Sequence, residues 1–363
     1  MYFGLRRVAR PLMLVVTFSV GSTFFANVEP AQAVGPVASP PYTLGTFKGT
    51  APTAATNPDD ISVSADGADL WVGYGNTALP DGTSGSSNLV EYNISTGAVM
   101  QNVTIPGHID GLKVDPATGE VWADINEDAK PTVVIVNPKN GKVQTFLVTS
   151  SLVTGGVDDL VFSGNDSAFV TASSQADTTT PVIVEISLKE KKKTSSPTVT
   201  SVLPGAPATV WNVVTNAAET GDVIGDPDSM TLDPAGELVL NDRTSHSLFI
   251  VRNSSATKPV LRVPLALFTT PDVPLEVDDT TFTTSPTTGA SSTAGTLFIT
   301  DTKAGIIYTL TKPYFPSNEV YSAANVLNEV GLVDLNTGLF VPVATGFMGV
   351  HGLAFSPTSV SIP

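Results

Sequence analysis

Six segments of the sequence align in one register: Asp59-Asp60-Ile61-Ser62-Val63, Asp110-Gly111-Leu112-Lys113-Val114, Asp158-Asp159-Leu160-Val161-Phe162, Asp228-Ser229-Met230-Thr231-Leu232, Asp278-Asp279-Thr280-Thr281-Phe282 and His351-Gly352-Leu353-Ala354-Phe355. Their starts lie 51, 48, 70, 50 and 73 residues apart. A turn rich in Asp, Pro, Gly or Ser follows each. The first five then continue into a second β-rich run: Leu70-Trp71-Val72, Val121-Trp122-Ala123, Ala168-Phe169-Val170, Leu238-Val239-Leu240 and Leu297-Phe298-Ile299, with Trp71 and Trp122 in the same register. Hairpins complete several units, from Leu89 to Val103 around Thr96-Gly97, Val133 to Phe146 around Asn140-Gly141, and Val330 to Val343 around Thr337-Gly338. Four short strands in each unit of about 50 residues, with no helical periodicity, predict an all-β chain folded as a β-propeller. A pair of β-sandwiches would not explain the fixed internal phase, and a solenoid coil would need a shorter repeat.

The last unit holds too little chain for a blade of its own, with only Gly352–Phe355 and Ser359–Ile362 available as strands. The β-like run Tyr42–Phe47 can supply its outer strand, closing the ring and removing an exposed edge. The expected architecture is six four-stranded blades, the last closed by both ends of the chain, or five if the terminal strands join existing blades. The long spacings place insertions at Ala206–Asp226, before the fourth blade, and at Pro313–Asn328, within the fifth. Trp211, inside Ala208–Val214, reads as part of an extra strand or a lid. Lys189, Lys191, Lys192 and Lys193 fall at a hairpin turn and read as solvated surface.

Residues 1–33 have the form of a secretory signal: Arg6, Arg7 and Arg10, an apolar stretch from Pro11 to Ala26, and Ala31-Gln32-Ala33 as cleavage site. The apolar run is shorter than the roughly 20 residues a membrane span needs. Residues 34–41 then read as a short linker and 42–363 as a single propeller domain. The expected product is a monomer, exported by the Sec route to a periplasm or the medium, with no membrane span after cleavage. The absence of cysteine excludes disulfides, thiolate metal sites and thiol nucleophiles, and suits a bacterial exported protein.

Charge narrows the partners further. The formal net charge is −16, so no basic surface is available to displace counterions from a phosphate backbone, and nucleic acid is excluded. A small molecule or a protein at the propeller face remains. In a four-stranded meander the first strand starts on the face where the second ends and the third begins. The unit-start residues Asp59, Asp110, Asp158, Asp228, Asp278 and His351 should therefore ring the mouth of the central channel, with Asp124, Asn126, Asp128, Asp242 and Asp301 on the ligand rim. Carboxylates gathered near one axis repel one another and stay ionised only with water, donors or a cation to compensate. Oxygen ligands with only three histidines in the chain favour Ca²⁺, then Mg²⁺ or Mn²⁺, on Asp59, Asp110, Asp158, Asp228 and Asp278. The bland alternative is that these Asp residues merely accept backbone hydrogen bonds at strand starts and turns, the favoured reading for Asp242 and Asp301. Asp124-x-Asn126-x-Asp128 resembles the opening of a calcium loop but lacks the Gly and Glu that complete an EF-hand. Nucleophile-elbow, P-loop, HExxH and dinucleotide motifs are absent. His351 and Asp110 are the candidate proton-handling residues, and His108 a further possible base.

Asp110-Gly111-Leu112-Lys113-Val114-Asp115-Pro116 and Asp228-Ser229-Met230-Thr231-Leu232-Asp233-Pro234, with Leu297-Phe298-Ile299-Thr300-Asp301 echoing a second strand, resemble the repeats of NHL propellers and of the six-bladed gluconolactonase family. In that family a divalent metal is held by Glu, Asn and Asp at repeat starts. The resemblance implies Asp59, Asp110, Asp158 and Asp228 here, although the family's Glu and Asn are missing. Two readings follow: an exported binding or scaffold module with calcium or a small ligand at its channel mouth, or a metal-dependent lactonase or esterase. The first is preferred, because an acidic ring does not need catalysis to explain it.

Overall fold

The computed structural model describes residues 35–164, 166–175, 177–188, 196–207, 209–252, 260–283 and 294–358. The expected signal segment, the lysine run and Ser359–Ile362 lie outside the described residues. The described part contains strands and turns and no helix.

Six sheets form a β-propeller, each built around a four-stranded antiparallel meander. The first three blades follow the chain. Blade 1 is Pro58–Val63, Asp69–Tyr74, Ser86–Asn93 and Val99–Pro106, blade 2 is Ile109–Val114, Val121–Ile125, Thr132–Asn137 and Lys142–Leu147, and blade 3 is Leu160–Gly164, Ser167–Thr171, Pro181–Ser187 and Thr198–Pro204. Blade 4 is Pro227–Leu232, Leu238–Asp242, Ser247–Val251 and Val260–Pro264. The inner strands touch in order around the ring, and the sixth meets the first. The turn glycines of the three expected hairpins, Gly97, Gly141 and Gly338, take φ of 74°, 65° and 70°, conformations that side chains disfavour.

Blades 5 and 6 are interleaved, which the repeat did not foretell. Thr280–Phe282 is the inner strand of blade 5, but its neighbour is Val320–Ala324, followed by Glu329–Asp334 and Leu339–Thr345. Ala294–Asp301, expected as the second strand of the fifth unit, instead pairs with Val350–Thr358 and Ile306–Thr311 in blade 6. The expected insertion 313–328 therefore contains a strand of blade 5. The insertion before blade 4 forms a hairpin, Val210–Asn212 with Ala217–Glu219, laid parallel on the outer strand of that blade through Trp211 and Asn212. It is an added strand and not a lid.

The outer strand of blade 6 is Thr43–Thr46, paired with Ile306–Thr311, as expected for closure by both ends of the chain. Part of the expected linker is structured as well, since Val37–Ala38 pairs with the outer strand of blade 5. Side chains fix the segment. Phe47 is buried edge-on between Tyr92 of blade 1 and Phe298 of blade 6, with centroids 5.6 and 5.8 Å away. Lys312 sits 4.9 Å from the ring centroids of both Tyr42 and Phe315, its ammonium 2.6 Å from Glu319, while the Tyr42 and Tyr321 hydroxyls are 2.9 Å apart. Apolar layers between blades supply the core. Trp122 of blade 2, 1% exposed, packs with Leu160, Val170 and Val184 of blade 3.

Below the mouth, the second residue of each aligned segment runs Asp60, Gly111, Asp159, Ser229, Asp279, Gly352 around the ring. Each of the three Asp accepts the next amide of its own strand, from Ile61 (2.7 Å), Leu160 (2.7 Å) and Thr280 (2.6 Å). With its second oxygen each accepts an amide of the following blade, from Leu112 (2.6 Å), Met230 (2.8 Å) and Leu353 (2.6 Å). Lys113 rises between them, 3.1 Å from Asp60 and 2.8 Å from Asp159. Burial pushes Asp60 up to about 6 despite Lys113, and pushes Asp279 well above the usual carboxylate range, with Asp60 adding to the effect.

Two outcomes are expected. Phe47→Ala should cost about 3–5 kcal/mol in urea unfolding, because it removes the ring wedged between the closing blades; a loss below about 1 kcal/mol would make the N-terminal strand decoration. Lys113→Met should cost about 3–5 kcal/mol at pH 7 by leaving buried carboxylates uncompensated. Asp60 holds its proton in the folded state where the unfolded chain has lost it, so its contribution falls as pH rises from about 4 to 6. The Lys113→Met penalty should accordingly shrink at pH 5, and equal penalties at the two pH values would contradict the arrangement.

Candidate functional site

Above this clamp the channel opens into a cavity of about 250 Å³ on the face where the inner strands begin. All six unit-start residues, Asp59, Asp110, Asp158, Asp228, Asp278 and His351, line it, together with His108, Glu127 and Arg243. The strand starts converge because each sits at the same step of its meander, one residue above the clamp.

The five carboxylates are not equivalent. His351 places Nδ1 3.2 Å from Asp59 and 3.1 Å from Asp278, so it is shared between those two. Burial alone would lower the His351 value, but Asp278 and Asp59 outweigh it and push it up to about 12. Burial likewise works upward on Asp278, but His351 and Arg243 outweigh it and hold the carboxyl below the ordinary range. Asn325 also donates to Asp278 at 2.8 Å. Arg243 binds Glu276 at 2.8 Å and lies 3.6 Å from Asp228.

That leaves one side of the mouth without a cation. Among the described residues no lysine or arginine pairs with Asp110, Asp158 or Glu127, and the approach of His108 Nδ1 to Asp110 is 4.0 Å. Burial, then Glu127, pushes Asp110 well above the usual carboxylate range; burial, then Asp110, does so for Asp158; and burial, then Asp278, for Asp228. Burial with Asp59 and Asp128 pushes Glu127 up to about 7. Asp158 is 5% exposed, and its Oδ1 is buried with no hydrogen-bond partner, as is Oδ2 of Asp228. One carboxylate oxygen each from Asp110, Asp158 and Asp228 lie within 4.8 Å of one another, and the same holds for ligand atoms of His108, Asp110 and Glu127.

The structure thus brings together three of the five expected metal residues and assigns Asp59 and Asp278 to His351. It also changes the reading of His351, which as an imidazolium between two carboxylates cannot accept a proton near neutral pH. None of the expected rim residues lines the cavity. Asp124 is fully buried beneath the ring. Asn126 accepts the His108 amide at 3.2 Å, and Asp128 is exposed and accepts the Ser174 hydroxyl at 3.1 Å. Asp242 accepts the amides of Asp226 and Ser245, and Asp301 those of Ala304, Met348 and Gly349. Both organise turns. Glu127 and Arg243 were missed by the sequence reading. Asn126, just past the end of its strand, takes φ 71°, and residue 127, which the calcium-loop spacing of 124, 126 and 128 skips, lines the cavity instead.

No family model matches the chain, and no curated protein sequence matches it. Solved structures with a similar fold include a streptogramin B lyase, at 13% identity over 87% of this chain and 95% of that one with a TM-score of 0.46. A protein of unknown function from Bacteroides caccae follows at 10% identity, covering 82% and 86%, with a TM-score of 0.45. The virginiamycin B lyase of Staphylococcus aureus shares 12% identity over 80% and 71%, with a TM-score of 0.39. These are likenesses of fold.

The ionisation of His351 is directly measurable. Its charge contributes to stability fully below its unfolded value near 6.5, and that contribution is lost only as pH climbs through about 12. In NMR spectra its ring resonances should keep imidazolium positions from pH 6 to 9. A titration step near pH 6.5 would remove the pairing with Asp59 and Asp278.

Proposed function

We propose that this protein is an exported binding module whose channel mouth holds a divalent cation on Asp110, Asp158 and Asp228, ready to take a small ligand from solvent. The observation that carries the reading is Asp158: a side chain 5% exposed, with an oxygen that has no partner, turned into a cavity beside two further carboxylates. Asp158 and Asp110 lie in hydrogen-bond contact, so burying both ionised costs several kcal/mol unless a proton or a cation sits between them, and a cation answers that cost at neutral pH. The donors are all oxygen, which suits Ca²⁺, Mg²⁺ or Mn²⁺. His351 is engaged by Asp59 and Asp278, and of the three ligands Arg243 reaches only Asp228, at 3.6 Å, which leaves the negative charge concentrated at Asp110 and Asp158. Export follows from reading residues 1–33 as a secretory signal.

Thermal unfolding with and without a chelator tests this. Saturating Ca²⁺ or Mn²⁺ should raise the midpoint by several degrees at pH 7.5, about 2.7 kcal/mol at a hundredfold excess over Kd. The gain should be smaller at pH 5, because protons compete for the same raised carboxylates. Asp158→Asn should remove most of the gain while stabilising the metal-free protein, since it thins like charges. A chelator-insensitive midpoint with no bound metal would leave the ring as a purely structural device. Metal-dependent opening of a lactone or ester, abolished by Asp110→Asn in a folded protein, would instead make the chain an enzyme.

A further inference from the structure

The cavity gathers its candidate ligand atoms in two overlapping sets. Asp110 belongs to both groups of converging ligand atoms, the all-oxygen set with Asp158 and Asp228 and a second set with His108 and Glu127. We propose that His108, Glu127 and the shared Asp110 form a second metal subsite, so that the mouth is a two-cation centre bridged by the Asp110 carboxylate. This rests on the reading of the first site given above.

The argument begins with how His108 is held. Its amide donates to Asn126, and its imidazole is wedged against the backbone of Gly75, where an added Cβ would stand 2.8 Å from Nε2. That contact directs the Nε2 edge toward blade 1. Nδ1 lies 4.0 Å from Asp110 Oδ1, buried and without a hydrogen-bond partner. An imidazole nitrogen buried beside a carboxylate normally donates to it or is bridged by water. At 4.0 Å it does neither directly, and an ion between the two atoms would satisfy both. The other imidazole in the cavity, His351, has its Nδ1 committed to Asp59 and Asp278, so it offers no equivalent site. The unpartnered Asp158 oxygen belongs to the first set and leaves the His108 nitrogen as the separate unpartnered ligand atom of the second.

Chemistry separates the subsites. Asp110, Asp158 and Asp228 present oxygen alone, the set that calcium and magnesium prefer. A nitrogen with two carboxylates suits Mn²⁺, Co²⁺ or Zn²⁺, which bind imidazole where calcium does not. A carboxylate with two oxygens can serve two cations at once, and the second cation further offsets the negative charge that the first leaves on Glu127.

Equilibrium dialysis of the mature protein against Mn²⁺ at pH 7.5, with bound metal counted by elemental analysis and examined by electron paramagnetic resonance, tests the proposal. Wild type should retain two equivalents with an exchange-coupled spectrum from the carboxylate bridge. His108→Gln should lose one equivalent and the coupling while keeping the stabilisation by Ca²⁺. Glu127→Gln, on a different loop, should do the same and guards against a folding defect peculiar to His108. Asp158→Asn should lose the other equivalent. A single equivalent that survives His108→Gln and disappears in Asp158→Asn would overturn the second subsite and leave the first intact. No retained metal in any protein would overturn both.

Discussion

Three buried aspartates at every second blade set the geometry of the channel. Where six inner strands converge on one axis, there is no room for six side chains in the same layer. The chain resolves this by alternation: Asp60, Asp159 and Asp279 reach across, and Gly111, Ser229 and Gly352 stand aside. The small residues are required by space. A Cβ on Gly111 would lie 2.5 Å from the Asp158 carbonyl and 2.6 Å from Asp159 Oδ1, and one on Gly352 would lie 2.5 Å from the Asp59 carbonyl. Each aspartate joins two blades through backbone amides that would otherwise be buried without partners, a loss of about 1–3 kcal/mol apiece. The six blades therefore behave as three clamped pairs, and Lys113 supplies the one positive charge that lets carboxylates remain at that depth.

The mouth inherits its shape from that layer. The unit-start residues sit one step above the clamp, so their side chains converge whether or not their charges agree. Charge then sorts them. His351 draws Asp59 and Asp278 to one side and Arg243 approaches Asp228. Asp110 and Asp158 remain beside Glu127, with burial first, and then neighbouring carboxylates, raising all three. An acidic ring that looks uniform in the alignment is thus electrically lopsided in space, with its uncompensated carboxylates gathered around Asp110, Asp158 and Glu127.

The propeller and its phase were legible because strand starts repeat at a fixed step, and the ring residues were legible with them. The closing role of Tyr42–Phe47 was also readable, from a β-like run with no partner nearby in sequence. The interleaving of blades 5 and 6 was not. A local repeat says which runs are strands, but Leu297-Phe298-Ile299 could follow either Asp278-Asp279 or pair with Gly352-Leu353-Ala354, and only packing chooses the latter. The alternation Asp, Gly, Asp, Ser, Asp, Gly stood in the aligned segments from the start. Its meaning depends on distances between blades that no single repeat contains. Glu127 escaped for a different reason: it lies past the end of its strand, beside a left-handed Asn126, at the residue that the calcium-loop spacing skips.

Asp124 shows how the same threefold pattern extends one strand outward. In the second strands of blades 6 and 4, Thr300 and Asn241 occupy one equivalent position, and each donates its side-chain hydrogen to the carbonyl of a ring residue in the next blade, Asp59 and Asp278 respectively. Asp124 holds that position in blade 2, fully buried beneath the layer of Asp158. An ionised carboxylate there would be a pure acceptor among acceptors. Burial first, and then Asp159, pushes its value well above the ordinary range, against a smaller pull from Lys113. Both of its carboxyl oxygens are buried without a hydrogen-bond partner, so Asp124 does not make the cross-blade bond that Thr300 and Asn241 make from the same position. A carboxyl group in this propeller takes its role from its layer: enclosed beneath the ring, joined to amides and Lys113 in the clamp, and facing the cavity at the mouth.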